Sequence, residues 1–304
     1  MKLVLLWIAL CLSCMSFPAP LVAADNAKPA GYVQEAAGEV LALHGGQSRP
    51  LEAKAPVWQG DTLATKSESS VQIMFSDGTI LAMGPESLLV IKEYVNEWGL
   101  EKTLTNTMRL SYGPGIFRAV TGIISDRNPG AAKIDTPLGH IGIRGTELAS
   151  LVTAPAQAGG KPFGAALNDI FADKGNAAAG LDSLLAVASA SVSQEAHGHI
   201  AGSKNRPLAF TDNMGKSVDM AVAQGVTVTR ERGVSEPGPI PQALETSMPM
   251  AFINYEANIP AAFRSILGGS PGTDRNAPNS GSFSGTSGTS GGSTSGGRSG
   301  GGRS

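Results

Sequence analysis

Lys133-Ile-Asp-Thr-Pro-Leu-Gly-His-Ile-Gly-Ile-Arg-Gly-Thr-Glu-Leu148 is the stretch on which the architecture of this chain turns. Two β-like runs, one around Ile134 and one over Ile141 to Ile143, are punctuated by Pro137, Gly139, Gly142 and Gly145. Proline cannot donate to a central ladder, and glycine admits bends and close backbone approach, so the stretch predicts short strands joined by tight corners. Back toward Gly31 the same texture repeats. Apolar runs stop at Gly38, Gly45-Gly46, Gly60-Asp61, Asp77-Gly78 and Gly84-Pro85. Punctuation this regular predicts an all-β unit.

Within that unit Val71, Ile73 and Phe75 alternate with Gln72 and Met74, which places the first set on one face of a strand. Asp77-Gly78 suits the two positive-φ positions of a tight hairpin, with Ile80 to Met83 running back along it. Leu88 to Ile91 is too apolar for exposure on both faces and is assigned to the core. Met108, Leu110 and Tyr112 alternate, Ile116 to Val120 is a further strand, and Asp126 to Gly130 is a loop.

Three segments of the unit, in this order and spacing, resemble the FecR-like domain family: Gln59-Gly-Asp-Thr62, Phe75-Ser-Asp-Gly-Thr79, and Thr136-Pro137 with Ile143-Arg-Gly-Thr-Glu147. The periodicity by itself reaches only a mainly β class. The resemblance implies a β-solenoid-like or jelly-roll-like fold, over residues 31–152 and again over closing strands at 198–241. Between them, residues 153–197 are rich in Ala, Gly and Leu. Leu181, Leu184, Leu185 and Ala188 form one stripe of a helix, and Leu167, Ile170 and Phe171 suggest another, so this segment is expected to be a helical insertion. In the closing part Val218, Met220 and Val222 alternate, Gln224-Gly225 turns the chain, and Val226 and Val228 continue. Residues 242–267 are expected to form a short helical segment. The Gly/Ser-rich tail, 268–304, cannot bury enough apolar surface to offset its ordering entropy and is expected to be disordered.

At the amino end Lys2 precedes an apolar run from Leu3 to Leu12, with small residues at Val22-Ala23-Ala24. This is the pattern of a signal peptide over residues 1–24, cut after Ala24. The run is shorter than the roughly 20 apolar residues of a spanning helix, so no transmembrane helix is expected in the mature chain. Cys11 and Cys14 both fall in the signal, leaving no disulfide or thiolate metal site. Of 23 basic and 25 acidic side chains, Lys2 alone lies in the signal, so the processed chain is mildly acidic. Strong electrostatic capture of nucleic acid or anionic lipid is therefore not expected.

Candidates for a reaction centre are few. His44, His140, His197 and His199 are the only histidines, and His197-Gly-His199 offers two imidazoles but no third ligand, which favours a polar strand edge over a metal site. Gly-x-Ser-x-Gly occurs at Gly288 to Gly292 and at Gly297 to Gly301, inside a tail that cannot hold a serine in geometry. Gly215-Lys216-Ser217 lacks the earlier glycine of a phosphate loop. No catalytic residue, cofactor or metal is assigned. The motif residues Gly60, Asp61, Asp77, Gly78, Thr136, Pro137, Arg144, Gly145, Thr146 and Glu147 are given structural roles. Asp77 serves a turn, Asp61 succeeds a glycine at a bend, and Arg144 is suited to bridge a carboxylate, either Asp135 or Glu147.

FecR-like modules are known as the periplasmic part of membrane-spanning anti-sigma regulators, where a sigma-binding segment and a transmembrane helix come first. With its apolar run at the extreme amino end, this chain is expected to be a stand-alone secreted FecR-domain protein and not such a regulator. The expected function is a non-catalytic interaction or scaffold protein of the bacterial envelope, periplasmic or at the cell surface, with a protein partner and no nucleic acid. A structural component of the cell surface or an adhesion apparatus is the alternative. A cell-wall carbohydrate hydrolase is a remote third.

Overall fold

A computed structural model describes residues 28–97, 105–128, 130–173, 177–202 and 206–247. The expected signal, the stretch beyond Ser247 and the Gly/Ser-rich tail lie outside these residues. The alternation of apolar residues produces two large sheets, and the chain passes repeatedly from one to the other. The first sheet takes β1 (Gly31–Ala37), β4 (Pro56–Val57), β6 (Ser70–Phe75), β7 (Ile80–Met83), β10 (Gly115–Val120), β13 (Thr146–Val152), β16 (Gln194–Gly202), β19 (Gln224–Thr229), β20 (Gly233–Val234) and β21 (Gly238–Pro239). The second takes β2 (Val40–His44), β3 (Gln47–Pro50), β5 (Thr62–Thr65), β8 (Leu88–Val95), β9 (Thr107–Tyr112), β11 (Ala132–Thr136), β12 (Gly139–Gly142), β17 (Leu208–Asp212) and β18 (Ser217–Met220). Across the first sheet the order is β20-β19-β16-β13-β10-β7-β6-β1-β4, with β21 beside β19; across the second it is β18-β17-β12-β11-β9-β8-β5-β2-β3. Among the described strands only β9 and β11 pair in parallel. A small hairpin, β14 (Gln157–Ala158) with β15 (Lys161–Pro162), stands apart.

The inward faces of both sheets share one core. Val33, Ile73, Phe75, Leu81, Phe117 and Leu148 from the first sheet meet Leu63, Leu89, Ile91, Leu110, Ile134 and Phe210 from the second. Each such side chain contributes about 1.5–3 kcal/mol on burial, which outweighs any local propensity in these short strands. Rings bridge the sheets: Tyr112 stacks on Phe117 at 4.0 Å, and His197 on Phe210 at 4.8 Å.

Four helices complete the described chain: α1 (Ile123–Arg127), α2 (Phe163–Ala172), α3 (Ala177–Ser191) and α4 (Gln242–Ser247). The stripe Leu181, Leu184 and Ala188 of α3, with Leu167, Ile170 and Phe171 of α2, packs on Leu41, Leu43, Ala64 and Leu88. Those four are the outward residues of β2, β5 and β8, so α2 and α3 cover the outer face of the second sheet. The helix α4 sits on the outer face of the first sheet, where Leu244 meets Ala149 and Ala196.

The mainly β class is what the alternation predicts, and the described strands form two open sheets. Two corners differ from expectation. Gly78 has φ +85, but Asp77 is not among the positive-φ residues. The Gly78 amide donates to Phe75 O and the Phe75 amide to Thr79 O, so the hairpin closes through a three-residue loop with only its last residue left-handed. The turn before β19 comes earlier than Gln224-Gly225, with Ala223 at φ +64, and leaves Val222 exposed instead of continuing the strand. The Asp126 to Gly130 loop is entered through the single helical turn of α1.

Candidate binding cleft and its buried carboxylates

The first motif builds one wall of a cleft. Gly45 and Gly46, at φ +55 and +83, reverse the chain between β2 and β3 and set His44 beside Arg49 near Gly60-Asp61. The Asp61 side chain is fully buried; His44 Nδ1 lies 2.8 Å from Oδ1, the Trp58 amide donates to Oδ2 at 3.0 Å, and the Arg49 guanidinium pairs with the same oxygen. The guanidinium lies 4.5 Å over the Trp58 ring. Burial lowers the Arg49 pKa, and the Asp61 charge and hydrogen bond oppose the shift. A fully desolvated carboxylate thus holds two cationic or polar side chains and an indole in fixed orientation. They form one side of a cleft of about 820 Å³, whose other lining includes Gln47, Gln59, Tyr94 and Asn96.

The second motif joins the first through Tyr94. Asp77 is buried; its carboxylate accepts the Thr79 amide at 3.0 Å, the Thr79 hydroxyl at 2.9 Å and the Tyr94 hydroxyl at 3.2 Å. The Tyr94 amide donates to Gln59 Oε1 at 2.9 Å, so the strand β8 ties both motifs together. Burial raises the Asp77 pKa above its ordinary value of 3.8, against the opposing hydrogen bonds from Thr79 and Tyr94. Because the folded value exceeds the unfolded one, the ionised carboxylate costs folding free energy that grows as pH rises from about 3.8 toward the folded value and is absent below it. Asp77→Asn adds a pH-independent offset for the lost acceptor, yet should gain stability relative to wild type as pH rises. Urea unfolding of both proteins at pH 4 and pH 8 measures the slope, and a gain for wild type at pH 8 contradicts it.

The third motif is anchored from β16. Glu195 is fully buried; its carboxylate accepts the Thr136 hydroxyl at 2.7 Å and the Leu138 amide at 2.9 Å, and lies 3.0 Å from His197 Nε2. His197 Nδ1 in turn is 3.0 Å from Ser150 Oγ. The carboxylate clamps the Thr136-Pro137-Leu138 corner from the facing sheet. Serine, histidine and glutamate in this order resemble a charge relay, but all three are fully buried in the shared core, where no substrate reaches them.

Two expectations need correction. His197 and His199 do not form a polar strand edge: β16 lies between β13 and β19, and both imidazoles are fully buried. His199 Nδ1 pairs with Met220 O at 2.9 Å, and the two rings take different partners instead of converging. Arg144 bridges neither candidate carboxylate. It is exposed, without an ion pair or hydrogen bond to the described residues. Arg118 takes Glu147, and Arg109 with Lys92 takes Asp135. Gly145, at φ +80, reverses the chain before β13 and turns Arg144 outward; Thr146 donates its amide to Thr121 Oγ1 at 2.8 Å. His140 is exposed on β12 and lines a shallow depression with Asp135 and Asn213.

Arg49, Trp58, Tyr94 and Glu195 escape the sequence reading. The first three are brought together by turns, which leave no periodic signal. Glu195 alternates with His197, an i, i+2 relation that puts both on one strand face, and this is the only signal the sequence offers for it. Among the described residues no three His, Cys, Asp or Glu side chains are placed to hold a metal ion. No described helix is long and apolar enough to cross a membrane.

Comparison with known proteins adds the family. Residues 61–159 match the family described as FecR protein. No curated protein matches the chain. Two crystal structures of a proposed anti-sigma factor from Parabacteroides distasonis align with TM-scores of 0.37 and 0.38 at 7% and 8% identity. The alignments cover 62% and 61% of this chain and 63% and 62% of those, under two thirds of their length. Asp61, Asp77, Glu147 and the corner clamped by Glu195 all fall within residues 61–159, the part of the chain that is similar to FecR protein.

Proposed function

We propose that this protein is a non-catalytic binding module of the bacterial envelope, exported to the periplasm or cell surface, that holds a protein partner in the cleft walled by His44, Arg49 and Trp58. The module winds between its two sheets in the solenoid-like or jelly-roll-like manner of its family. The observation that carries this reading is the fixed wall: a buried Asp61 holds the side chains that a partner meets. Groups ordered before binding lose little conformational entropy on contact, and a concave site with an aromatic platform is where binding energy concentrates.

A photoreactive residue at Gln59, exposed on the cleft rim, tests this in intact cells against the same residue at Asp219, exposed on β18. One envelope protein should be trapped from position 59 and not from 219. Trp58→Ala should reduce that adduct by about tenfold or more. Equal trapping from both positions, or an adduct indifferent to Trp58, overturns the assignment.

A further inference from the structure

β18 closes one end of the second sheet, and among the described strands only β17 pairs with it. The main-chain bonds show which of its groups are left over. The Asn213 amide donates to Leu138 O, at the corner before β12, whereas the Asp212 amide donates to Lys216 O, in the hairpin to β18. Bonding partners alternate along a central strand, so Leu208, Phe210 and Asp212 bond toward β18, and Ala209 and Thr211 toward β12. Val218 and Met220, opposite Phe210 and Leu208, are therefore bonded to β17. The N–H and C=O of Ser217 and Asp219 point the other way. Both residues are exposed, and these four groups meet no partner among the described residues.

Sheets usually blunt such an edge with shortness, proline or charge. The other ends do so: β3 finishes on Pro50, β4 is the pair Pro56-Val57, and β20 is the pair Gly233-Val234. β18 has four residues, no proline and one charge, Asp219. Its flanks are apolar. Among the described residues the exposed large apolar side chains are Met214, Val222 and Val187, at 62%, 41% and 42%, and the first two bracket β18. Exposed apolar side chains beside an unpaired edge mark a place where another chain docks. Met214 and Val222 also lie at equal distances in sequence on either side of Val218, the midpoint of Ser217 and Asp219.

An edge with this symmetry is matched by the same edge turned about a two-fold axis. With the axis at Val218, Ser217 faces Asp219 of the second copy, and Asp219 faces its Ser217. Each such pair exchanges two N–H···O bonds, so all four open groups of each copy are satisfied. Met214 then comes beside Val222 of the second copy at both ends, and each Asp219 meets a serine. An axis at Asp219 instead sets two carboxylates directly opposite, which a sheet disfavours. We propose that β18 is a self-association edge, on which two copies of this chain pair antiparallel about Val218 and continue the second sheet from one to the other. β18 and the β3 side of the cleft are opposite ends of that sheet, so this proposal and the cleft assignment fail independently. A self-adduct from position 219 is told by its mass from a partner trapped at 59.

The test uses the chain from Asp25 to Ser304, which has no cysteine of its own. Ser217→Cys and Asp219→Cys are made singly, both at exposed positions, and mixed under mild oxidation. Cα atoms of a bonded pair stand about 5.5 Å apart, within the span of a disulfide. The 217–219 disulfide should form at least tenfold faster than 217–217 or 219–219, and than either variant with Val187→Cys, exposed on α3. Equal rates throughout, or faster linking of like with like, overturn the proposal. Asp219→Pro supplies a second measurement. It removes an N–H that the folded chain does not use, where an edge strand tolerates proline, so its thermal unfolding should match wild type. The interface is small and the dimer weak, so sedimentation is run up to millimolar concentration. Asp219→Pro should raise the dimer dissociation constant at least tenfold. A dimer indifferent to the proline overturns the proposal, and so does a wild-type chain that stays monomeric, since the edge is then left to a strand of another protein.

Discussion

Glu195→Ala should cost on the order of 3–5 kcal/mol, because it leaves the Thr136 hydroxyl, the Leu138 amide and one His197 nitrogen without their acceptor in a fully buried site. At this chain length the loss corresponds to roughly 10 °C in Tm. Glu195→Gln keeps one carbonyl oxygen and should cost only about 1–2 kcal/mol. Urea unfolding of the three proteins decides the matter. If alanine proves no worse than glutamine, the corner at Pro137 is not held by this carboxylate. The same series separates a structural network from a relay, since a structural role changes stability in the order wild type, Gln, Ala and requires no activity.

Gly139→Ala should be nearly as damaging. A Cβ there would lie 2.3 Å from Thr211 O and 2.6 Å from the Phe210 ring, so β12 has to leave β17 or the ring has to leave the core. Overpacking of this kind costs about 3 kcal/mol. Gly142, three residues on in the same strand, is the internal control. Its Cβ would meet only Ala209 Cβ at 3.8 Å, and Gly142→Ala should change stability by less than about 0.5 kcal/mol. Thermal unfolding of the two variants checks the contrast, and equal effects would mean that β12 adjusts more freely than its register suggests.

These two positions also show how far the sequence can be read. Gly139 and Gly142 look alike in the sequence, both flanking His140-Ile141, and each reads as a point of bending or close approach. Only the pairing of β12 with β17 tells which of them faces a neighbouring backbone. Asp77 and Gly78 mark the hairpin correctly, but the loop has one left-handed residue and not two, since Ser76 enters the loop as well. Asp61 reads as a residue at a bend; that it is the buried anchor of His44, Arg49 and Trp58 depends on a hairpin returning Arg49 to it. Arg144 is a reasonable candidate for a carboxylate bridge on charge and proximity. The left-handed Gly145 turns it to solvent, and Arg118, two residues along the paired strand from the position opposite Glu147, reaches Glu147 instead.

The sequence by itself determined the mainly β class, the positions of β6 to β12, β18 and β19, the inward faces of β6 and β9, the helical stripe of α3 and the three motifs that resemble the FecR-like family. Each of these is local: alternation, helical spacing and turn chemistry are properties of neighbours along the chain. The tertiary structure alone decided which carboxylate meets which partner and where the cleft opens. It also decided that His197 and His199 are buried, because β16 enters between β13 and β19 rather than at an edge. Those facts depend on strand order and register between residues far apart in sequence, and register is set by the burial of whole faces at once, which no single stretch encodes.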